Sequence, residues 1–403
     1  MPEKQEGRSH ELGWPRVIGL AFTHLYQHII MASLPPILTL IQADFGASYA
    51  QMGLLLSASR FSGGVLQLPS GMAADRFGKK KVLLIGFGLL LVSVFLAGLA
   101  PTLIMLVVLQ IMVGVGDSAF HPTTFSMISQ GSRQETLGKN MSVHTMAGFV
   151  GTYVAMSLIA RMGESVGWRS TLMLLPIPGL ILGLVLATWF REPPVARPEE
   201  KGRGGGEQSP LFRGPLPVIF LVSLMHGASM QGLISFLPAF LTVVHGLSVV
   251  EAGDLASLLI VGVATIVLGG WLADRVSRIN MVALAAVMAA LLMVALALWT
   301  PSRLILSLIL IATGIAIYFS TPAYTALISA YASAASQGRL FGLSFAGSAI
   351  GGSTGVLLVG FIADMASFQV AFLFVAGASM AKGILITLLR RYDVWVAARA
   401  LES

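Results

Sequence analysis

The chain of 403 residues contains no cysteine, and only 11% of its residues are charged. Without a thiol there is no disulfide, no thiolate metal site and no cysteine nucleophile. A glycine-rich loop ending in Lys-Ser/Thr is also absent, which disfavours direct ATP coupling within this chain. No phosphate loop, nucleophile triad or complete metal-ligand spacing occurs. Asp117 and His121 are the nearest approach to a metal pair, and two groups do not complete a site. The sequence therefore predicts neither an enzyme nor a cofactor. What the chain has in quantity is apolar sequence. It is 56% hydrophobic, with a mean hydropathy of +0.84, far outside the balance of a water-soluble domain.

A bilayer core about 30 Å thick needs about 20 apolar residues per crossing helix. Such runs follow one another over 15–41, 48–74, 82–100, 102–130, 140–161 and 170–190, then over 217–244, 248–273, 281–299, 302–332, 340–364 and 367–390. These are spans 1 to 12. The first run lacks a small-residue cleavage pattern and reads as a retained helix. The one long polar stretch, rich in Pro, Gly, Glu and Arg, reads as a linker. The expected division is a tail at 1–14, a six-helix bundle at 15–190, a linker at 191–216, a second six-helix bundle at 217–390 and a tail at 391–403. If the N-terminus is cytoplasmic, 20 of the 25 Lys and Arg residues fall on that face and three, Arg161, Arg169 and Arg303, on the other. The excess of +7 is then a positive-inside signature rather than a nucleic-acid footprint, with both termini cytoplasmic. A multi-pass protein of a bacterial-type inner membrane, monomeric and in contact with lipid, is expected.

The two halves are related by sequence. Pro101 and Pro301, Gly114 and Gly314, Pro122 and Pro322, and Ser129 and Ser329 each stand 200 residues apart, as do Gln51 and Glu251 and Gly53 and Gly253. Span 4 and span 10 are thus one element used twice. Two parallel six-helix repeats with a small-molecule site near the midplane are the organisation of an alternating-access transporter.

The segment Gly71-Met-Ala-Ala-Asp75-Arg76-Phe-Gly78-Lys79-Lys80 resembles the cytoplasmic signature of the major facilitator superfamily, and Gly270-Trp-Leu-Ala-Asp274-Arg275 repeats its first part after span 8. The resemblance implies the all-α fold of that superfamily, with 12 transmembrane helices in two pseudo-symmetric bundles. It also implies that Asp75 docks near Gly338 to Phe341 at the start of span 11, and Asp274 at the start of span 5. An acid at the C-terminal end of its own helix is disfavoured by the dipole and needs such a partner. Gly114-Val-Gly116-Asp117-Ser118-Ala-Phe120-His121-Pro122 is similar to a segment of fosmidomycin-resistance-type exporters. Span 5 carries Gly148 and Gly151 but lacks the Gly-Pro pair of drug/proton antiporters.

Charge inside the membrane is costly and marks function, pairing or water. Asp117 is the one acid near the middle of a span, and Arg60 and Lys382 are the embedded bases. Arg60 and Asp117 lie at similar depth, and a pair between them is expected; Lys382 is near enough to the cytoplasmic end to snorkel. His121 follows Asp117 by four residues and His28 follows His24 by four, so each pair shares a helix face. A carboxylate with imidazoles in a wet cavity suits proton transfer, which makes Asp117, His121 and His28 the proton-coupling candidates. The rest of the cavity is expected to involve His24, Arg60, His226, Met230, Gln231, Tyr318 and Tyr324, with Phe236 alongside. Proton-coupled export of a lipophilic or drug-like solute is the leading expectation. Proton-coupled uptake of an organic anion held by Arg60 is the alternative, and a non-transporting membrane receptor or assembly partner is the alternative of another class.

Overall fold

The computed structural model describes residues 12–190, 215–331 and 337–392. The linker and both expected tails fall almost wholly outside these. The described residues are almost entirely helical. Among the described residues ten helices are long and apolar enough to cross a membrane, and two physical details reconcile ten with the expected twelve. Span 2 is a 29-residue helix, Tyr49–Phe77, but Gln51, Ser57, Ser59, Arg60 and Ser62 make it too polar to qualify by hydropathy. Spans 5 and 6 form one stretch, Glu135–Trp189, turned at Gly167. There φ is +80°, a left-handed conformation that costs glycine little. A single residue makes the turn where a loop of several was expected.

The chain separates into two compact units. One contains the residues up to Phe45 and those from Ala58 through the rest of the first half. The other contains the second half together with Gly46–Ser57. The first turns of span 2 therefore group with the second unit, a departure from a boundary drawn at the linker alone.

In the first unit, span 1 (Trp14–Met31 and its continuation Leu38–Phe45) packs along span 5, and span 3 (Lys79–Gly98) packs against span 4. The second unit repeats both pairings, span 7 (Leu216–His245) along span 11 (Gln337–Met365) and span 9 (Arg278–Leu298) against span 10, and span 9 also packs along span 12 (Phe368–Thr387). In lipid there is little hydrophobic drive between helices, so close backbone approach supplies the attraction. A Cβ at Gly151 would collide with the Leu25 carbonyl, and one at Gly351 with the Leu224 carbonyl. Gly114 meets the Ser59 carbonyl and Ser62 Oγ in span 2, while its counterpart Gly314 meets the Leu259 carbonyl in span 8.

Span 4 breaks between Leu103–Asp117 and Phe120–Gly131, and span 10 between Arg303–Phe319 and Thr321–Ala330. The cause is common to both. Pro122 and Pro322 lack the N–H that would continue the helical ladder, and each lies just inside the restarted helix. The repeat extends to the helix starts. Ser48 N–H donates to Gln51 Oε1 (2.9 Å) and Gln51 N–H to Ser48 Oγ (3.3 Å). Ser248 and Glu251 form the same reciprocal cap 200 residues later.

Candidate functional site

Asp117 sits at the last turn before the proline break in span 4, and Gln27 reaches it from span 1, donating from Nε2 to Asp117 Oδ1. Gln27 is buried, whereas Asp117 is half-buried. Arg60, on span 2, lies within electrostatic range of Asp117. The expected ion pair does not form, however. Among the described residues Arg60 has neither a hydrogen-bond nor an ion-pair partner; the amide of Gln27 takes Asp117 Oδ1, and Asp117 acts on Arg60 only across a longer distance. Gln27 carries no charge pattern in the sequence, and only its place beside His28 hinted at the role.

The imidazoles gather more closely than two i,i+4 pairs on separate helices require. His24 and His28 of span 1 have ring centroids 4.7 Å apart, and His121 of span 4 lies 5.3 Å from His24 and 5.9 Å from His28. One ligand nitrogen from each of the three falls within 4.8 Å of the other two. A fourth ring, His144 of span 5, stacks on His24 at 4.1 Å; the sequence reading had not included it. Gly148 makes the space, since a Cβ there would lie 2.7 Å from His24 Cε1. His24 is 3% exposed and His144 fully buried, whereas His28 and His121 are half-buried.

The second unit has a separate polar centre. Lys382, near enough to the cytoplasmic end to snorkel, is instead 7% exposed, and its Nζ meets His226 Nδ1 at 3.2 Å. The ammonium also lies 5.5 Å from the centre of the Tyr324 ring, a cation–π distance. The Tyr324 hydroxyl is bonded to Ser223 Oγ (2.6 Å). His226, Met230, Ile317, Ser379 and Lys382 line a cavity of about 20 Å³, room for about one water. Tyr318 is buried in helix packing and does not line this cavity. Phe236 packs on Phe368 at 6.1 Å, and Gln231 packs against Gly352.

The residues of the two signature segments fall at the ends of spans 2 and 8. Gly71 packs toward Pro122, and Gly78 has φ +95°, as a sharp turn into span 3 requires. Lys79 is buried and donates to Gln130, and Lys80 donates to the Ala187 carbonyl at 2.7 Å. Arg76 lies over Phe77. Asp75 is exposed and has no hydrogen-bond or ion-pair partner among the described residues; the side chains of Gly338 and Arg339 lie outside that set. Asp274 is paired with Arg278 at 3.5 Å, and Arg275 donates to the Trp271 carbonyl at 2.8 Å.

Comparison with known proteins agrees with this architecture. The family model of the Major Facilitator Superfamily matches residues 20–319 and 219–397. The chain is 25% identical over 260 residues to a probable sulfoacetate transporter of Cupriavidus necator, covering 59% of this chain and 60% of that protein. It is 23% identical over 277 residues to a probable L-galactonate transporter of Escherichia coli, covering 63% of this chain and 60% of that one. The matches thus span about three fifths of each relative's length. Among solved structures, a bacterial homolog of the human lysosomal transporter Spinster, in an inward-facing and occupied conformation, superposes with a TM-score of 0.76 at 18% identity, covering 95% of this chain and 96% of that one. With the signature after span 2, the duplicated six-helix units and a family match over most of its length, the chain belongs to the Major Facilitator Superfamily.

Proposed function

We propose that this protein is a secondary transporter that takes up a small organic anion together with protons by alternating access. The observation that carries the reading is Arg60: a cation on a membrane-spanning helix whose nearby carboxylate, Asp117, is hydrogen-bonded by Gln27. A guanidinium without a partner of its own in lipid calls for an anion, and its planar donor fork matches a carboxylate or sulfonate. Lys382 gives the second unit an embedded cation of its own. Both relatives described above are named for organic anions, which supports the same class.

Asp117 is the proton carrier of this reading. Protonating it removes the negative charge nearest Arg60 and leaves the guanidinium to the substrate; releasing the proton returns the carboxylate as a competitor and favours substrate release. Export of a lipophilic compound is the second reading, favoured by the exporter-like run from Gly114 to Pro122 and by Met230 in the lining of the cavity beside Lys382.

The test is uptake by inverted and right-side-out vesicles under an imposed pH gradient, with a panel of short sulfonates, hydroxy-acids and aldonates. Accumulation of one such anion, abolished in Arg60→Gln, is expected. Increased tolerance to lipophilic toxins on overexpression, with no anion accumulated, would overturn the uptake reading in favour of export.

A further inference from the structure

The histidine cluster of the first unit has an arrangement that proton transfer does not require. His24 Nδ1 lies 2.7 Å from the backbone carbonyl of His144. A carbonyl only accepts, so Nδ1 carries the proton and the lone pair of His24 is on Nε2. That Nε2 is buried and has no hydrogen-bond partner. His28 Nδ1 lies 2.9 Å from Thr152 Oγ1. Thr152 in turn donates its hydroxyl proton to the Gly148 carbonyl at 3.2 Å, so Oγ1 accepts and the lone pair of His28 is likewise on Nε2. Two imidazoles are thus held as the same tautomer by fixed backbone and hydroxyl partners, and His121 joins them with no hydrogen-bond partner for its ring among the described residues.

This is how metal-binding histidines are held: the far nitrogen donates to a carbonyl or hydroxyl, which fixes the ring and raises the basicity of the near one. We propose that His24, His28 and His121 form a binding site for a divalent first-row transition-metal ion such as Zn²⁺, Co²⁺ or Ni²⁺. Three imidazoles this close each have a lone pair to place. A single shared proton satisfies two of them, and a metal ion satisfies three. Ligand atoms within 4.8 Å of one another must close to about 3.4 Å around an ion bound at about 2.0–2.1 Å, a movement within reach of small χ1 and χ2 changes. Imidazole ligands exclude Mg²⁺ and Ca²⁺ as occupants. Three ligands leave a fourth coordination position for another donor, and His28 and His121 are each half-buried. Asp117, one turn before His121, supplies a nearby negative charge. His144 is not a ligand: it stacks on His24 and presents the carbonyl that orients it.

The site stands independently of the transported substrate, so its test uses binding alone. The full chain, purified in detergent with an affinity tag free of histidine and stripped with chelator, is titrated with Zn²⁺ by calorimetry and with Co²⁺ by visible absorption. One equivalent of Zn²⁺ and a four-coordinate Co²⁺ spectrum are expected. His28→Asn and His121→Asn should each weaken binding by more than tenfold. Thr152→Val, which removes only the orienting acceptor, should weaken it by about 10- to 100-fold. His226→Asn, in the other unit, should leave it unchanged. Thermal unfolding of every variant establishes that it is folded, and Thr152→Val carries the test if a ligand variant is not. Absence of a stoichiometric ion in the folded parent, or undiminished affinity in the folded ligand variants, would overturn the proposal.

Discussion

Asp364 secures the start of span 2 by accepting the amide of Ala50 at 2.6 Å on one carboxylate oxygen, while the other accepts the amide of Tyr49 at 2.8 Å. The first amides of a helix have no partner within it, and their dipoles favour an anion there. A residue 314 positions away in sequence therefore completes what the local cap of Ser48 and Gln51 leaves unsatisfied. Asp364→Ala should lower the unfolding temperature by about 2 °C or less, because the site is exposed and solvent screens it. Asp364→Asn keeps one acceptor and should lose about half as much. Equal stability of all three proteins by thermal melting in one detergent would exclude this role.

Packing at the paired glycines makes a symmetrical prediction. Gly114→Ala and Gly314→Ala each push a methyl group into a backbone carbonyl of the neighbouring helix. Overpacking of this kind costs about 1–3 kcal/mol, so each variant should melt several degrees below the parent. Gly88→Ala, where open space surrounds the added carbon, is the matched control and should be neutral.

Proton coupling through Asp117 separates two transport modes. Asp117→Asn preserves size and the contact with Gln27, so the protein should fold and exchange labelled anion for unlabelled across vesicles. Accumulation driven by a pH gradient should fall at least tenfold. Retention of gradient-driven accumulation would remove Asp117 from the coupling step.

The two embedded cations differ in what surrounds them. Arg60 has no partner among the described residues, whereas Lys382 is held by His226 and Tyr324. Arg60→Lys should retain weak uptake, since a point charge replaces a bidentate fork, and Arg60→Gln should have none. Lys382→Met should weaken apparent substrate affinity while the protein remains folded, because replacing a buried charge with an apolar group of similar volume is often tolerated. Initial-rate measurements over a range of anion concentrations distinguish the two effects.

Most of the architecture was legible because it depends on period and offset. Span limits follow from apolar run length, and the breaks at Pro122 and Pro322 follow from a missing N–H. The site was legible only in its ionisable members. Asp117, Arg60, His28 and His121 stand out as polar residues in apolar runs, but who bonds to whom depends on helix rotation, which a list of spans does not contain. Gln27 displaced Arg60 as the partner of Asp117 for that reason. His226 captured Lys382 in the same way, since two residues 156 positions apart share no local pattern. His144 escaped notice because a lone histidine on an apolar helix more often has a purely packing role. Gly167 was hidden because nothing in the sequence distinguishes a glycine held at positive φ from the other glycines around it.

Gly151 against Leu25, and Gly351 against Leu224, leave no layer of side chains between the paired helices. A soft layer would absorb displacement as rotamer changes; bare backbone against backbone cannot. Each pair, span 1 with span 5 and span 7 with span 11, then acts as a single stiff strut: whatever moves one member carries the other with it. Spin labels placed on the two members of a strut should keep a constant separation through turnover, whatever distances change elsewhere in the protein.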